Sequence, residues 1–295
     1  MSGARKISLV LIVSTLAGCN SQPPADPMVL VNSERAFAAG AAEKGLRDAF
    51  LEFSDYDAVM FVPGAVRVKN HYGVSAKRPD LLSWFPVYAE ISSSGDLGWT
   101  TGPWEWRENP SNKDPLGVGH YITIWKKQAD STWKFVLDIG IAHRAPMTES
   151  STPALRVLDQ PNKRERVEPG RGREEMLEAE YAFRAASVAE GLVSAFRSYL
   201  TPDARYYRLG MRPIQGIDSV CEILTMAVGT CTWEVEHADV SKNSDLGYTY
   251  GLTTLTASEG TAQFTFMRIW HRNIEGIWKV ALDIQLPLPP EEKTP

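Results

Sequence analysis

The chain lacks the short strings that spell out common chemistries. Among its 295 residues there is no HExxH, no GxSxG, no CxxC and no Walker A loop. The usual signatures of a zinc peptidase, a serine hydrolase, a thiol redox centre and a nucleotide-binding loop are therefore missing. "GVGH" at Gly117–His120 is only a fragment of a glycine-rich loop, placed ahead of a strand-like run. Five histidines form no metal-ligand cluster, so neither a metal nor a cofactor is expected. Excess charge is scarce too. A net charge of −5 is mildly acidic, which argues against a nucleic-acid partner. What remains is 43% hydrophobic and 23% charged, enough apolar material for real cores, in a length that suits two domains.

Long hydrophobic runs are also few. The one at the N-terminus, Ile7–Gly18, follows Arg5 and Lys6 and is too short to span a bilayer comfortably. It leads into "LAGC", Leu16–Cys19, which resembles the lipobox of bacterial lipoproteins. The resemblance implies a signal peptide at 1–18 and a lipidated Cys19 as the first mature residue. The alternative is an ordinary signal peptide with an incidental cysteine. Asn20, where an Asp would imply inner-membrane retention, points to the outer membrane facing the periplasm. Residues 19–30 then form a polar, proline-bearing tether to the membrane. In an envelope compartment Cys221 and Cys231 are either a disulfide or two buried thiols.

The strongest signal is internal. Ser33–Phe61 matches Ala179–Tyr207 without a gap, pairing Glu34 with Glu180, Phe37 with Phe183, Gly45 with Gly191 and Asp57 with Asp203 at an offset of 146. Ile124–Ile139 matches Ile269–Ile284 at an offset of 145. The chain is a tandem duplication, with domains at 31–144 and 173–289 and a linker at 145–172. The linker's "NKRER…GRGR" run has no aromatic interleaved and is diluted by Glu165 and Glu168, so it reads as a solvated segment.

Each copy begins with an amphipathic helix: Leu46, Ala49, Phe50 and Phe53 repeat as Leu192, Ala195, Phe196 and Tyr199. A short strand follows, then a second helical stretch near Lys77–Ile91 or Ile217–Val228, then three strand-like runs. Helices followed by a meander give an α+β fold. "GDLGWTTG" at Gly95–Gly102 and "SDLGYTYG" at Ser244–Gly251 open the first runs. In a strand these put Gly98, Thr100 and Gly102, or Gly247, Thr249 and Gly251, on one small face. Such a face permits close approach of another backbone, strong bending, or open space.

The first helix, "DLGYTYG" and "IW…GIWKVALDI" together resemble the nuclear transport factor 2-like superfamily, most of all its ketosteroid-isomerase-like and SnoaL-like branches. The resemblance implies two cones, each a curved antiparallel sheet wrapped round helices, with a pocket at its open end. Members pair through the outer face of the sheet. The duplication therefore predicts an intramolecular pseudo-dimer and a monomeric protein. The family contains enzymes, binders and assembly modules, so it does not fix the function.

In SnoaL-like enzymes an acid near the end of the last strand can act as a base, which singles out Asp138 and Asp283. A carboxylate in an apolar cone has a raised pKa, suited to taking a proton beside a carbonyl. The other reading is a carboxylate beside Lys134 or Lys279 on a solvent face. Acids kept in both copies, Glu34/Glu180 and Asp96/Asp245 among them, read as structural, the latter pair capping turns. His120 shares strand parity with Ile122 and Ile124, so it either faces inward to pair with Asp138 or is packed. Trp84, Trp99, Trp104, Trp233, Tyr248 and Tyr250 either line a pocket for a flat apolar ligand or fill the core. Two functions follow: a lipid-anchored binding or scaffold protein, or an isomerase, dehydratase or cyclase with a pocket carboxylate as general base.

Overall fold

The computed structural model describes residues 25–76, 80–109, 111–144, 152–158 and 170–290. Cys19, the signal peptide and the first half of the tether lie outside them.

In the first half, helices α1 (Met28–Lys44) and α2 (Leu46–Phe53) are followed by strands β1 (Ser54–Phe61) and β2 (Ala65–Arg67), then helix α3 (Val68–Val74). Strands β3 (Leu81–Trp84), β4 (Tyr88–Ile91), β5 (Leu97–Arg107), β6 (Gly117–Lys127), β7 (Trp133–His143) and β8 (Ala154–Val157) complete it. The second half has α4 (Arg171–Ala189), α5 (Leu192–Tyr199), β9 (Leu200–Arg208), β10 (Ile214–Gln215) and α6 (Ile217–Leu224). Its meander is β11 (Thr230–Val240), β12 (Leu246–Ala257), β13 (Gly260–Arg272) and β14 (Trp278–Pro287).

The sheet orders are the same in both halves: β2-β1-β7-β6-β5-β4 and β10-β9-β14-β13-β12-β11. In each, the last strand lies parallel to the first and antiparallel to its predecessor. The sequence expectation of a helix near Lys77–Ile91 is wrong. That stretch holds β3 and β4, both paired to β5, and together they take the place of β11. Leu82, Trp84, Ala89 and Ile91 alternate with period 2 and pack on the helices, which a helical reading misses. The linker is also more than a solvated run. β8 adds to β4 in parallel, and Leu158 is buried.

The break between the paired first helices is written by glycine. Gly45 and Gly191 have φ of +89° and +85°, a conformation that costs glycine least. The repeated glycines of the octapeptides serve close approach. A Cβ on Gly98 would strike Leu30 of α1 and the Glu90 carbonyl, and one on Gly247 would strike Met176 of α4. The small face of each strand is thus where the long helix presses into its cone.

The opposite faces of the two sheets pack on each other. Leu97, Ile122, Ile124, Leu137 and Ile139 of one half share a buried cluster with Leu246, Met267, Ile269, Leu282 and Ile284 of the other. The contact is reciprocal. Ser93 N donates to Asp245 Oδ2 at 2.6 Å, and Lys242 N donates to Asp96 Oδ1 and Oδ2 at 3.3 Å. Those four residues stand at matching positions in the two turns, the sign of a two-fold relation. Asp96 and Asp245 also accept from Ser92 and Ser241 within their own turns. The expected turn caps therefore also join the halves, as the pseudo-dimer reading requires.

Candidate functional site

Each cone places a glutamate from its long helix beneath the β-sheet. In the first, Glu34 accepts from Trp84 Nε1 at 2.6 Å, Thr100 Oγ1 at 2.5 Å and Trp125 Nε1 at 3.0 Å. In the second, Glu180 accepts from Thr249 Oγ1 at 2.6 Å and Trp270 Nε1 at 3.0 Å. Both glutamates are fully buried. The glutamate–threonine–tryptophan set is one device written twice. It accounts for the threonine in each octapeptide and the tryptophan in each "IW".

The second acid comes from the last strand. Asp138 and Asp283 lie opposite Thr123 and Arg268 on the neighbouring strands, and that one difference changes the chemistry. Around Asp283, Arg268 Nε donates to Oδ2 at 2.7 Å and Arg208 Nη2 to Oδ1 at 2.5 Å. Arg268 also bonds Glu180 Oε1 through Nη1. Burial opposes the charge on Asp283, but the two guanidiniums outweigh it and hold the carboxyl below its usual range. Asp283 is thereby held as a paired carboxylate, a weaker base than the raised acid that the family resemblance implied.

Among the described residues Asp138 has no arginine partner. Its partner is Thr123 Oγ1 at 2.9 Å, and Val62 stands where the second half has Arg208. Burial first, then the nearby Glu34 charge, raises its pKa from 3.8 to about 7. Burial likewise raises Glu34 against the pull of its hydrogen bonds. The lysines expected beside the aspartates do not reach them. Lys134 bonds the carbonyl of Glu52 at the end of α2, and Lys279 that of Ser198 in α5.

His120 does not join Asp138. The strand parity is as read, but the face it shares with Ile122 and Ile124 is the one between the halves, not the cone. There its Nδ1 lies 2.8 Å from His143 Nε2, with the Tyr207 ring 6.3 Å away. The six aromatics divide by the same rule. Trp84, Trp104 and Trp233 belong to the cones. Trp99, Tyr248 and Tyr250 pack between the sheets, with Trp99 Nε1 donating to Glu90 at 2.8 Å. Glu90 is buried and meets His271 of the other half at 2.5 Å. Cys221 and Cys231 are free thiols, not a disulfide, and burial pushes both upward in pKa. Among the described residues no group of three His, Cys, Asp or Glu side chains could hold a metal.

A cavity of about 180 Å³ opens in the second cone. Leu192, Phe196, Leu224, Leu255 and Phe264 give it an apolar wall, and Trp233, Thr253 and Arg268 line it as well. The first cone is filled at the matching place. Trp84 pairs with Trp104 as Trp233 pairs with Thr253, so Trp104 occupies the position of Thr253. Its Nε1 donates to the His120 carbonyl at 3.0 Å. A Cβ on Gly119 would collide with its ring, whereas Phe264 is the counterpart in the second half.

No protein-family model matches the chain, and no curated protein does. Solved structures do. A ketosteroid isomerase-like protein from Erwinia carotovora atroseptica is similar at 16% identity over 41% of this chain and 99% of its own, with a TM-score of 0.37. An NTF2-like protein of unknown function from Pseudomonas putida gives 13%, 41%, 90% and 0.34. An LEH-like epoxide hydrolase of M. tuberculosis gives 17%, 38%, 77% and 0.31. Each likeness spans about two-fifths of this chain, and the chain's own α+β strand order occurs twice.

Proposed function

We propose that this protein is a cell-envelope lipoprotein whose second cone binds a small apolar molecule and whose first cone serves as its scaffold. The carrying observation is the contrast between a 180 Å³ cavity walled by leucine and phenylalanine and the tryptophan at the same place in the first half. Apolar pockets with a few polar groups are the ordinary form of a ligand site. The lipid anchor rests on the "LAGC" string, and outer-membrane placement on Asn20. Packing between the sheets uses the face through which family members dimerise, so the protein acts as a monomer.

The test has two arms. An environment-sensitive apolar dye should bind saturably, and Leu255→Trp, which fills the cavity, should abolish it. Cys19→Ser should abolish palmitate incorporation in a bacterial host. Dye binding indifferent to Leu255→Trp removes the pocket reading, and equal labelling of the serine variant removes the anchor.

One observation favours catalysis as a second reading. Burial and the Glu34 charge raise the Asp138 pKa to about 7, which suits a general base. Proton exchange from cyclic ketones in deuterated buffer, lost in Asp138→Asn, would replace the binding reading by this one.

A further inference from the structure

The end of the molecule where the chain enters is built from turns. A Cβ on Gly95, in the β4–β5 turn, would lie 3.5 Å from Ala25, just ahead of α1. That turn meets the β11–β12 turn of the other half through Ser93 and Asp245. The β6–β7 and β13–β14 turns stand at the same end. Lys127 N donates to the Asp96 carbonyl and Arg272 N to that of Asp245, both at 2.9 Å. These four turns and the start of α1 thus share one end.

One of the turns has an apolar tip. Ile274 and Ile277 in the β13–β14 turn are 61% and 47% exposed. The first half writes the same turn with Ala129 and Thr132, so the fold does not require isoleucine there. Single exposed apolar side chains are ordinary. This pair gains its meaning from where it stands.

The length of the tether sets that place. Six residue steps separate Cys19 from Ala25, and each spans at most about 3.6 Å. A lipid carried on Cys19 would keep this end within about 20 Å of the bilayer surface. The opposite end lies farther off than that. β12 runs from Leu246, beside the joint between halves, to Ala257, and its 12 residues at about 3.3 Å each extend about 40 Å. Exposed Lys127 and Lys242 share the tethered end with exposed Asp130 and Glu275. Charges of both signs suit a zwitterionic headgroup layer. A short tether raises the effective concentration of that layer, so a contact of two isoleucines suffices to hold it.

Resting on the lipoprotein reading above, we infer that this end docks on the membrane that holds the anchor, with Ile274 and Ile277 entering the headgroup layer. The orientation has a consequence for the second cone. Leu255 and Phe264, which line its cavity, lie toward the β12–β13 turn at the opposite end. The cavity then takes its ligand from the aqueous side and not from the bilayer.

The experiment uses the lipidated full chain on vesicles of phosphatidylethanolamine with a minor share of phosphatidylglycerol. A nitrobenzoxadiazole label is placed at Glu275→Cys, between the isoleucines, or at Ser258→Cys, in the β12–β13 turn. Cys221 and Cys231 are buried and do not compete for it. Each labelled protein is compared with its unlipidated Cys19→Ser form in solution. Aqueous dithionite should reduce the Glu275→Cys label at least about fivefold more slowly on vesicles than in solution, and the Ser258→Cys label at an unchanged rate. Adding Ile274→Ser and Ile277→Ser should bring the protection below about twofold. Both isoleucines are exposed, and an unchanged melting temperature would exclude loss of fold as the cause. Flotation with the vesicles but no protection at either label overturns this inference and leaves the anchor standing. Protection of the Ser258→Cys label instead also overturns it. Protection that survives loss of both isoleucines assigns it to the tether alone and overturns the docking contact. A chain that carries no lipid and does not float overturns both readings.

Discussion

In each half a glutamate from the long helix and an aspartate from the last strand meet inside the cone, but the halves neutralise them by different means. The second inserts Arg268 between the acids and adds Arg208 from β9. The first has Thr123 and Val62 at those places and keeps its acids with tryptophan and threonine donors alone. A buried carboxylate pair needs either a cation or a proton. One duplicated scaffold thus contains both solutions. The same divergence separates the cavity from its filled counterpart. The Arg268 guanidinium carbon lies 4.1 Å from the centre of the Trp233 ring beside Thr253, whereas Trp104 needs Gly119 beneath it.

The largest effect should come from making the second half resemble the first. Arg268→Thr removes the shared cation from Glu180 and leaves Arg208 as the remaining cation on Asp283. Breaking a buried pair in this way costs about 3–5 kcal/mol. Denaturant unfolding at pH 7 should show that loss, and at pH 5 the loss should shrink, because protons can replace the guanidinium. An equal loss at both pH values would assign the cost to the void rather than the charge.

The acids also give the halves opposite responses to pH. For Asp138 the folded pKa, about 7, lies above the ordinary 3.8. Between those values the folded state holds the proton more tightly than the unfolded one. Stability from this group is therefore complete below pH 4 and is lost as pH rises through 7. For Asp283 the folded pKa is depressed, so its contribution is present above pH 4 and is lost in stronger acid. Asp138→Asn should remove the first dependence. Wild type minus variant should change by up to about 4 kcal/mol between pH 4 and 8, and by less because Asp138 is only half-buried. A difference that stays flat over that range would show that Asp138 is ionised in the fold.

Much of this architecture is legible in the sequence alone, and the reason is duplication. Residues that the fold needs twice are written twice: Gly45 and Gly191 at the helix breaks, Thr100 and Thr249 under the glutamates, Asp96 and Asp245 at the turns. The site was less legible. Period-2 alternation says which residues share a face but not which face is the cone, so it leaves His120 and Trp99 open between pocket and packing, and the structure puts both between the halves. The signal that finds the divergence is Thr123 against Arg268 in otherwise matching strands, a difference rather than a motif. Glu34 and Glu180, read as merely structural because both copies keep them, turned out to organise both cones.

The smallest effect tests where the two halves are still alike. Asp245 takes the Ser93 N–H at 2.6 Å and is fully buried, whereas Asp96 takes the Lys242 N–H at 3.3 Å and is slightly exposed. A shorter, drier charge-assisted bond contributes more, and removing its acceptor strands a backbone donor. Asp245→Ala should therefore cost about 2–3 kcal/mol and Asp96→Ala about 1 kcal/mol. Both should act on the joint between halves rather than on either cone. Unfolding followed by tryptophan fluorescence should separate into two transitions in the double variant, while dye binding in the second cone persists below the first. A larger cost for Asp96→Ala than for Asp245→Ala would mean that the geometric asymmetry of the joint has no energetic counterpart.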